Sequence, residues 1–151
     1  MDNEVSNVNS GTFFECKVRY ERVTENGLTK KVTEPYIIKA YSFTEAETMM
    51  IKYIEPFTSG EFEVSDIKRC KFTEIIEDKS GDIFYKCVIC FINLDEKSGK
   101  EKKTKHLILV QASNFEDVIG QIKAYMKGSM ADYKINKVEE SAIMDVCNEI
   151  D

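Results

Sequence analysis

The sequence predicts an α+β fold: a duplicated β-β-α-β unit, its antiparallel or mixed sheet carrying two helices packed on one face. Three observations support this. The chain resembles itself at an offset of about 71 residues, each copy holds segments that alternate apolar and polar residues, and each copy holds one capped apolar stripe of helical spacing. Phe13-Phe14-Glu15-Cys16-Lys17-Val18-Arg19-Tyr20 lines up with Phe84-Tyr85-Lys86-Cys87-Val88-Ile89-Cys90-Phe91. Ala40-Tyr41-Ser42-Phe43 then lines up with Ala112-Ser113-Asn114-Phe115, Tyr53-Ile54 with Tyr125-Met126, and Phe62-Glu63-Val64 with Tyr133-Lys134-Ile135. The two copies run over residues 12–77 and 82–146 of one domain, 12–146, after a disordered segment 1–11 and before an acidic tail 147–151.

In the first copy Phe14, Cys16, Val18 and Tyr20 alternate with Glu15, Lys17, Arg19 and Glu21, the period of a half-buried strand. Glu25-Asn26-Gly27 is a hairpin turn signal, because Asn-Gly readily takes the positive backbone angles of a tight turn. A second strand runs through Tyr36–Ala40. Ser42-Phe43-Thr44-Glu45 has capping-box spacing, in which a serine and a glutamate satisfy the first free amides of a helix. That helix carries Phe43, Ala46, Met50, Tyr53 and Ile54 on one stripe and stops at Pro56. Residues 61–76 read as one long third strand, bent near Asp66 where the alternation slips.

The second copy repeats the design. Its first strand, 83–94, is apolar on both faces, which marks a central strand or one covered by a partner chain. Asp95–Gly99 turns the chain and 104–112 returns it. Asn114 caps a helix with the stripe Phe115, Val118, Ile119, Ile122, Tyr125 and Met126, closed by Gly128. A last strand spans 131–144, followed by an acidic end that frays or forms a short helix. In each unit the third strand is expected beside the first, with the helix across one face.

The 151 residues are 42% hydrophobic and 32% charged with only two prolines, which excludes disorder for most of the chain. No apolar run approaches the roughly 20 residues that cross a bilayer as a helix. The net charge of −6, spread over two acidic halves, excludes a whole-protein basic footprint for duplex nucleic acid. Five cysteines leave an odd thiol in any disulfide scheme, and the first residues are not a secretion signal, so the reduced cytoplasmic setting is expected.

Chemistry-bearing motifs are sparse. Cys87-Val88-Ile89-Cys90 is a C-x-x-C, but within a strand a spacing of three sends the two sulfurs to opposite faces. His106, the one histidine, reads as a strand-end residue. Nucleophile elbows, phosphate-binding glycine loops and paired-histidine metal motifs are not found. No catalytic residue, metal ligand or cofactor site is therefore assigned, and a non-enzyme is expected. The basic features are the hairpin tips. Lys30 and Lys31 follow Asn26-Gly27, while Lys100, Lys102, Lys103 and Lys105 follow Ser98-Gly99. These six lysines are the candidate nucleic-acid contacts, with Tyr36, Tyr41 or Phe57 as stacking faces. The competing account, that charged hairpins confer solubility and protect strand edges, is favoured by the net acidity.

Several runs together resemble one family: Phe14–Tyr20, Lys31–Tyr36, Ser42–Glu47, Ser59–Val64, Leu94–Thr104, Leu109–Ser113 and Met126–Tyr133. It is an uncharacterised domain-of-unknown-function family of Bacteroidetes and their tailed phages, including the crAss-like ones, and the resemblance covers about residues 13–146. It implies a bacterial or phage origin and a cytoplasmic setting, and it brings no site residues. The expected function is that of a non-enzymatic macromolecule-binding accessory protein of phage or mobile-element origin, acting through protein–protein contact. The alternative is single-stranded nucleic-acid binding through the lysine-rich hairpins. An unidentified protein is thus the expected partner, with no membrane, and with homodimerisation through strand 83–94 as a further route.

Overall fold

Period-two patterning and a five-residue turn make the first hairpin. Thr12–Val23 (β1) pairs antiparallel with Thr29–Ala40 (β2), from Thr12 opposite Ala40 out to Val23 opposite Thr29. Gly27 closes the turn at φ +78°, where only glycine sits without strain. The computed structural model describes residues 12–148; the expected N-terminal segment 1–11 and tail residues 149–151 lie outside the described residues. Phe43–Ile54 (α1) follows the hairpin. Ser42 Oγ accepts from the Glu45 amide at 3.1 Å, while Glu45 Oε1 accepts from the Tyr41 amide at 3.1 Å. Phe62–Arg69 (β3) then pairs antiparallel with β1, so the third strand does lie beside the first.

The second copy reproduces this part by part. Ile83–Leu94 (β5) and Glu101–Ala112 (β6) form the hairpin, with Gly99 at φ +67°. Phe115–Met126 (α2) is capped by Asn114, whose Oδ1 accepts from the Asp117 amide at 2.8 Å; Asp117 Oδ2 accepts from the Ser113 amide at 3.0 Å. Asp132–Glu140 (β7) pairs antiparallel with β5. The two helices have equal length and equivalent N-terminal caps, although their cap residues differ chemically.

Two short strands depart from the sequence expectation. Residues 61–76 are not one strand. β3 ends at Arg69, Cys70 still donates its amide to the Phe13 carbonyl at 3.0 Å, and Glu74–Ile76 (β4) pairs in parallel with β6 in the other sheet. Likewise β7 ends at Glu140, and Val146–Cys147 (β8) pairs in parallel with β2. Residues 145–147, expected as a fraying end or short helix, are thus partly strand. The sheets run β3-β1-β2-β8 and β4-β6-β5-β7. Each takes its fourth strand from the opposite repeat. The chain divides into two units accordingly, 12–70 with 142–148, and 71–141.

Each unit has its own core. In the first, Phe14, Cys16, Val18, Ile38 and Ala40 of the sheet pack against Ala46, Met50 and Ile54 of α1. In the second, Tyr85, Cys87, Ile89, Ile108, Val110 and Ala112 pack against Val118, Ile122 and Met126 of α2. Full burial of each large apolar side chain stabilises by about 1.5–3 kcal/mol, and α1 contributes two of them, Met50 and Ile54, while α2 contributes three, Val118, Ile122 and Met126. The first aromatic of each helix, Phe43 or Phe115, stays half exposed and meets Phe14 at 4.8 Å or Tyr85 at 5.1 Å. β5 has neighbours on both edges, so it is a central strand of its sheet.

Candidate binding surface

The short parallel strands leave most of each hairpin edge uncovered. On β2, β8 pairs only with Ile37 and Ile38, and Met144 donates its amide to the Pro35 carbonyl at 2.9 Å. On β6, β4 pairs with Ile108, Leu109 and Val110, and Thr73 donates to the Leu107 carbonyl at 2.8 Å. Among the described residues no strand covers 29–34 or 101–106 on that side. The Pro35 carbonyl and the Ile37 amide both point to this edge. Strand alternation then aims the backbone groups of Thr29, Lys31 and Thr33 outward, and on β6 those of Glu101, Lys103 and Lys105. Three of the six candidate lysines therefore stand on open strand edges.

The six do not form one patch. Lys30 and Lys31 lie opposite Arg22 and Glu21 near the tip of the first hairpin. Lys100 is held in the second turn, donating its amide to Ser98 Oγ at 3.3 Å. Lys102 shares the helix side of its sheet with His106, which stacks edge-on against Phe91 at 4.8 Å. Lys103 and Lys105 share the opposite face, where Lys134 of β7 also lies across Cys90 from Lys105. Of the stacking candidates, Tyr36 packs edge-on to Tyr53 at 5.9 Å, and burial together with Glu34 pushes its phenol up to about 12. Tyr36 is half-buried. Tyr41 and Phe57 are exposed, Phe57 at 74%.

Phe57 overhangs a groove of about 990 Å³ in the first unit, walled by Tyr20, Val23 and Lys31 of the hairpin and by Phe57, Gly60 and Phe62 of the α1–β3 connection. Glu21, Glu61 and Glu63 outnumber Arg19 and Lys31 along it, and Arg19 is itself paired with Glu63 at 3.2 Å. A polyanion is a poor match for that lining.

The inner ends of both edges are held by contacts the sequence alone did not single out. The Tyr53 hydroxyl donates to Asp145 Oδ2, and its phenol is pushed upward by burial and by that bond. Tyr125, its repeat equivalent, faces Glu74, and its phenol is raised by burial, by the Glu74 charge and by a hydrogen bond to it. The available signal was that an acid followed by two apolar residues recurs, Glu74-Ile75-Ile76 and Asp145-Val146-Cys147. Cys87 lies in the core and Cys90 on the other face of β5, so the C-x-x-C sulfurs diverge as expected. Burial raises the Cys16 thiol to about 12 and the Cys87 thiol to about 11. Among the described residues no three histidine, cysteine or acidic side chains gather as a metal site, and no helix is long and apolar enough to cross a membrane.

A duplicated α+β domain with two open hairpin edges is thus the class of molecule in hand. Residues 12–149 match the model of DUF4494, a domain of unknown function, and the chain belongs to that family. No curated protein and no solved structure matches it.

Proposed function

We propose that this chain is a non-enzymatic binding protein that works through protein–protein contact, accepting an extended segment of a partner as an added strand on the open edge of β2 or β6. The observation that carries the reading is that each edge already accepts a parallel strand at its inner end and leaves the next six residues unpaired. Strand addition draws affinity from main-chain bonds and specificity from flanking side chains. Lys31 on one edge, and Lys103 and Lys105 on the other, favour an acidic segment. The resemblance noted above supports a phage or mobile-element origin and action in a bacterial cytoplasm. Affinity capture from bacterial cells tests the reading. Lys31→Pro with Lys103→Pro removes one outward donor per edge, and the captured protein is lost while the melting temperature holds. Capture that persists in the double variant overturns it.

A second reading, single-stranded nucleic-acid binding, draws on one observation: Lys103, Lys105 and Lys134 lie on one face, and none joins an ion pair among the described residues. It requires retention of a labelled oligonucleotide that falls with salt, at a slope of roughly 0.7 per phosphate contact. It also requires loss of retention in K103E/K105E/K134E.

A further inference from the structure

The strand that completes each sheet arrives from the other repeat, and the two arrivals match in register. Thr73 and Met144 donate to the Leu107 and Pro35 carbonyls at 2.8 and 2.9 Å. Glu74 and Asp145 meet Tyr125 and Tyr53. Ile75 and Ile76 pair with Leu109 and Val110, as Val146 and Cys147 pair with Ile37 and Ile38. Each slot therefore selects the same short pattern in parallel register: an acid whose carboxylate reaches a helix tyrosine, followed by two apolar residues on the inner end of a hairpin edge. Glu-Ile-Ile and Asp-Val-Cys both satisfy it, so recognition resides in the slot and not in one unique sequence.

We propose that residues 142–147 exchange between two copies of the chain, each β8 completing the β2 edge of its neighbour. None of the bonds at the slot depends on the segment belonging to the same chain. They depend on the tyrosine hydroxyl, the Pro35 and Ile37 backbone groups and two apolar side chains. β8 pairs through only two residues and is followed back to β7 by the strand-free stretch 141–145, so release breaks few bonds. A second copy brings the same pattern by identity and restores every bond broken, which leaves association entropy as the net cost and makes the exchange depend on concentration. The inference stands apart from partner strand addition, which uses residues 29–34 and 101–106 and leaves the slot occupied.

The exchange is read by mixing two variants of the chain. One carries Ile38→Cys and Cys147→Ser, the other keeps Ile38 and Cys147, and both carry Cys70→Ser. After unfolding and refolding together at high concentration, mild oxidation yields a 38–147 linked peptide joining the two chains, identified by mass spectrometry. A chain carrying Ile38→Cys with its own Cys147, refolded dilute, gives the same link within one chain and serves as the control. If the control closes and the mixture gives no interchain link, the proposal is overturned. If Ile38→Cys prevents folding, the unmodified chain decides: light scattering after concentrated refolding shows a dimer that dilute refolding does not give, and a monomer at every concentration overturns the proposal.

Discussion

Ser65 and Asn136 are the same bulge in two sheets. Lys17 faces Asp66 and Val18 faces Val64, so Ser65 is passed over; Val88 faces Lys137 and Ile89 faces Ile135, so Asn136 is passed over 71 residues further along. An extra residue in one strand raises the local twist and resets which side chains face the core. Its recurrence at one register position is the detail that ties the two halves together most closely, because nothing about strand pairing alone requires a bulge there.

Deleting Asn136 removes that reset. The residues on one side of it, Val138 among them, turn to the wrong face, and an apolar side chain leaves the core. A loss of about 2–4 kcal/mol is expected, read from chemical denaturation. Asn136→Asp keeps the bulge and stays within about 0.5 kcal/mol of the parent.

Glycine substitutions separate close approach from open space. A Cβ on Gly81 falls 2.5 Å from the Ala112 carbonyl carbon, whereas Gly120, inside α2, has nothing within 4 Å. Gly81→Ala forces backbone apart and lowers stability by about 1–3 kcal/mol. Gly120→Ala raises it by up to about 1 kcal/mol, since alanine is the better helix former. Thermal melts of both variants, with opposite signs, check the pair.

The caps answer to the same kind of test. Ser42→Ala and Asn114→Ala each remove the side chain that accepts a first-turn amide, at 3.1 and 2.8 Å. Each costs about 1 kcal/mol by denaturation, and Ser42→Asp restores the first.

Alkali attacks the first core through its protons. Burial holds the Cys16 thiol at about 12 against an ordinary 9.0, and the Tyr36 phenol at about 12 against 10.0. Both values are raised, so the folded chain keeps these protons longer than the unfolded one. Their contribution is complete below about pH 9 and is lost as pH climbs from there toward about 12. Melting temperature should fall across that window, and Cys16→Ala should remove the part that begins near pH 9. At neutral pH a thiol reagent should modify the half-buried Cys70 well before Cys16 or Cys87. Equal rates would contradict the burial assigned to those two.

The duplication, the hairpins and both helices were legible because they rest on local signals: Gly27 and Gly99 at positive φ, capping residues, and apolar stripes of the right spacing. The slip of alternation read near Asp66 is the Ser65 bulge. The splitting of 61–76 was not legible. Lys71, Phe72 and Thr73 continue a strand-like pattern with no glycine or proline to mark the break, and only sheet topology sends Ile75 to β6. The lysines show the same boundary. Their place near hairpin tips could be read from Asn26-Gly27 and Ser98-Gly99, but the edge position of Lys31, Lys103 and Lys105 depends on how few residues β8 and β4 cover. Tyr53 and Asp145 meet across 92 positions of chain, a pairing no short-range pattern announces.

That long separation has a consequence for synthesis. A ribosome releases the first hairpin and α1 early, yet the β2 edge waits for residues 145–147 before its inner end is closed. Until those residues emerge the nascent chain offers an unfilled parallel slot beside Tyr53. Closing it joins residues more than a hundred positions apart, a contact that slows folding and exposes the intermediate to neighbours on the same polysome.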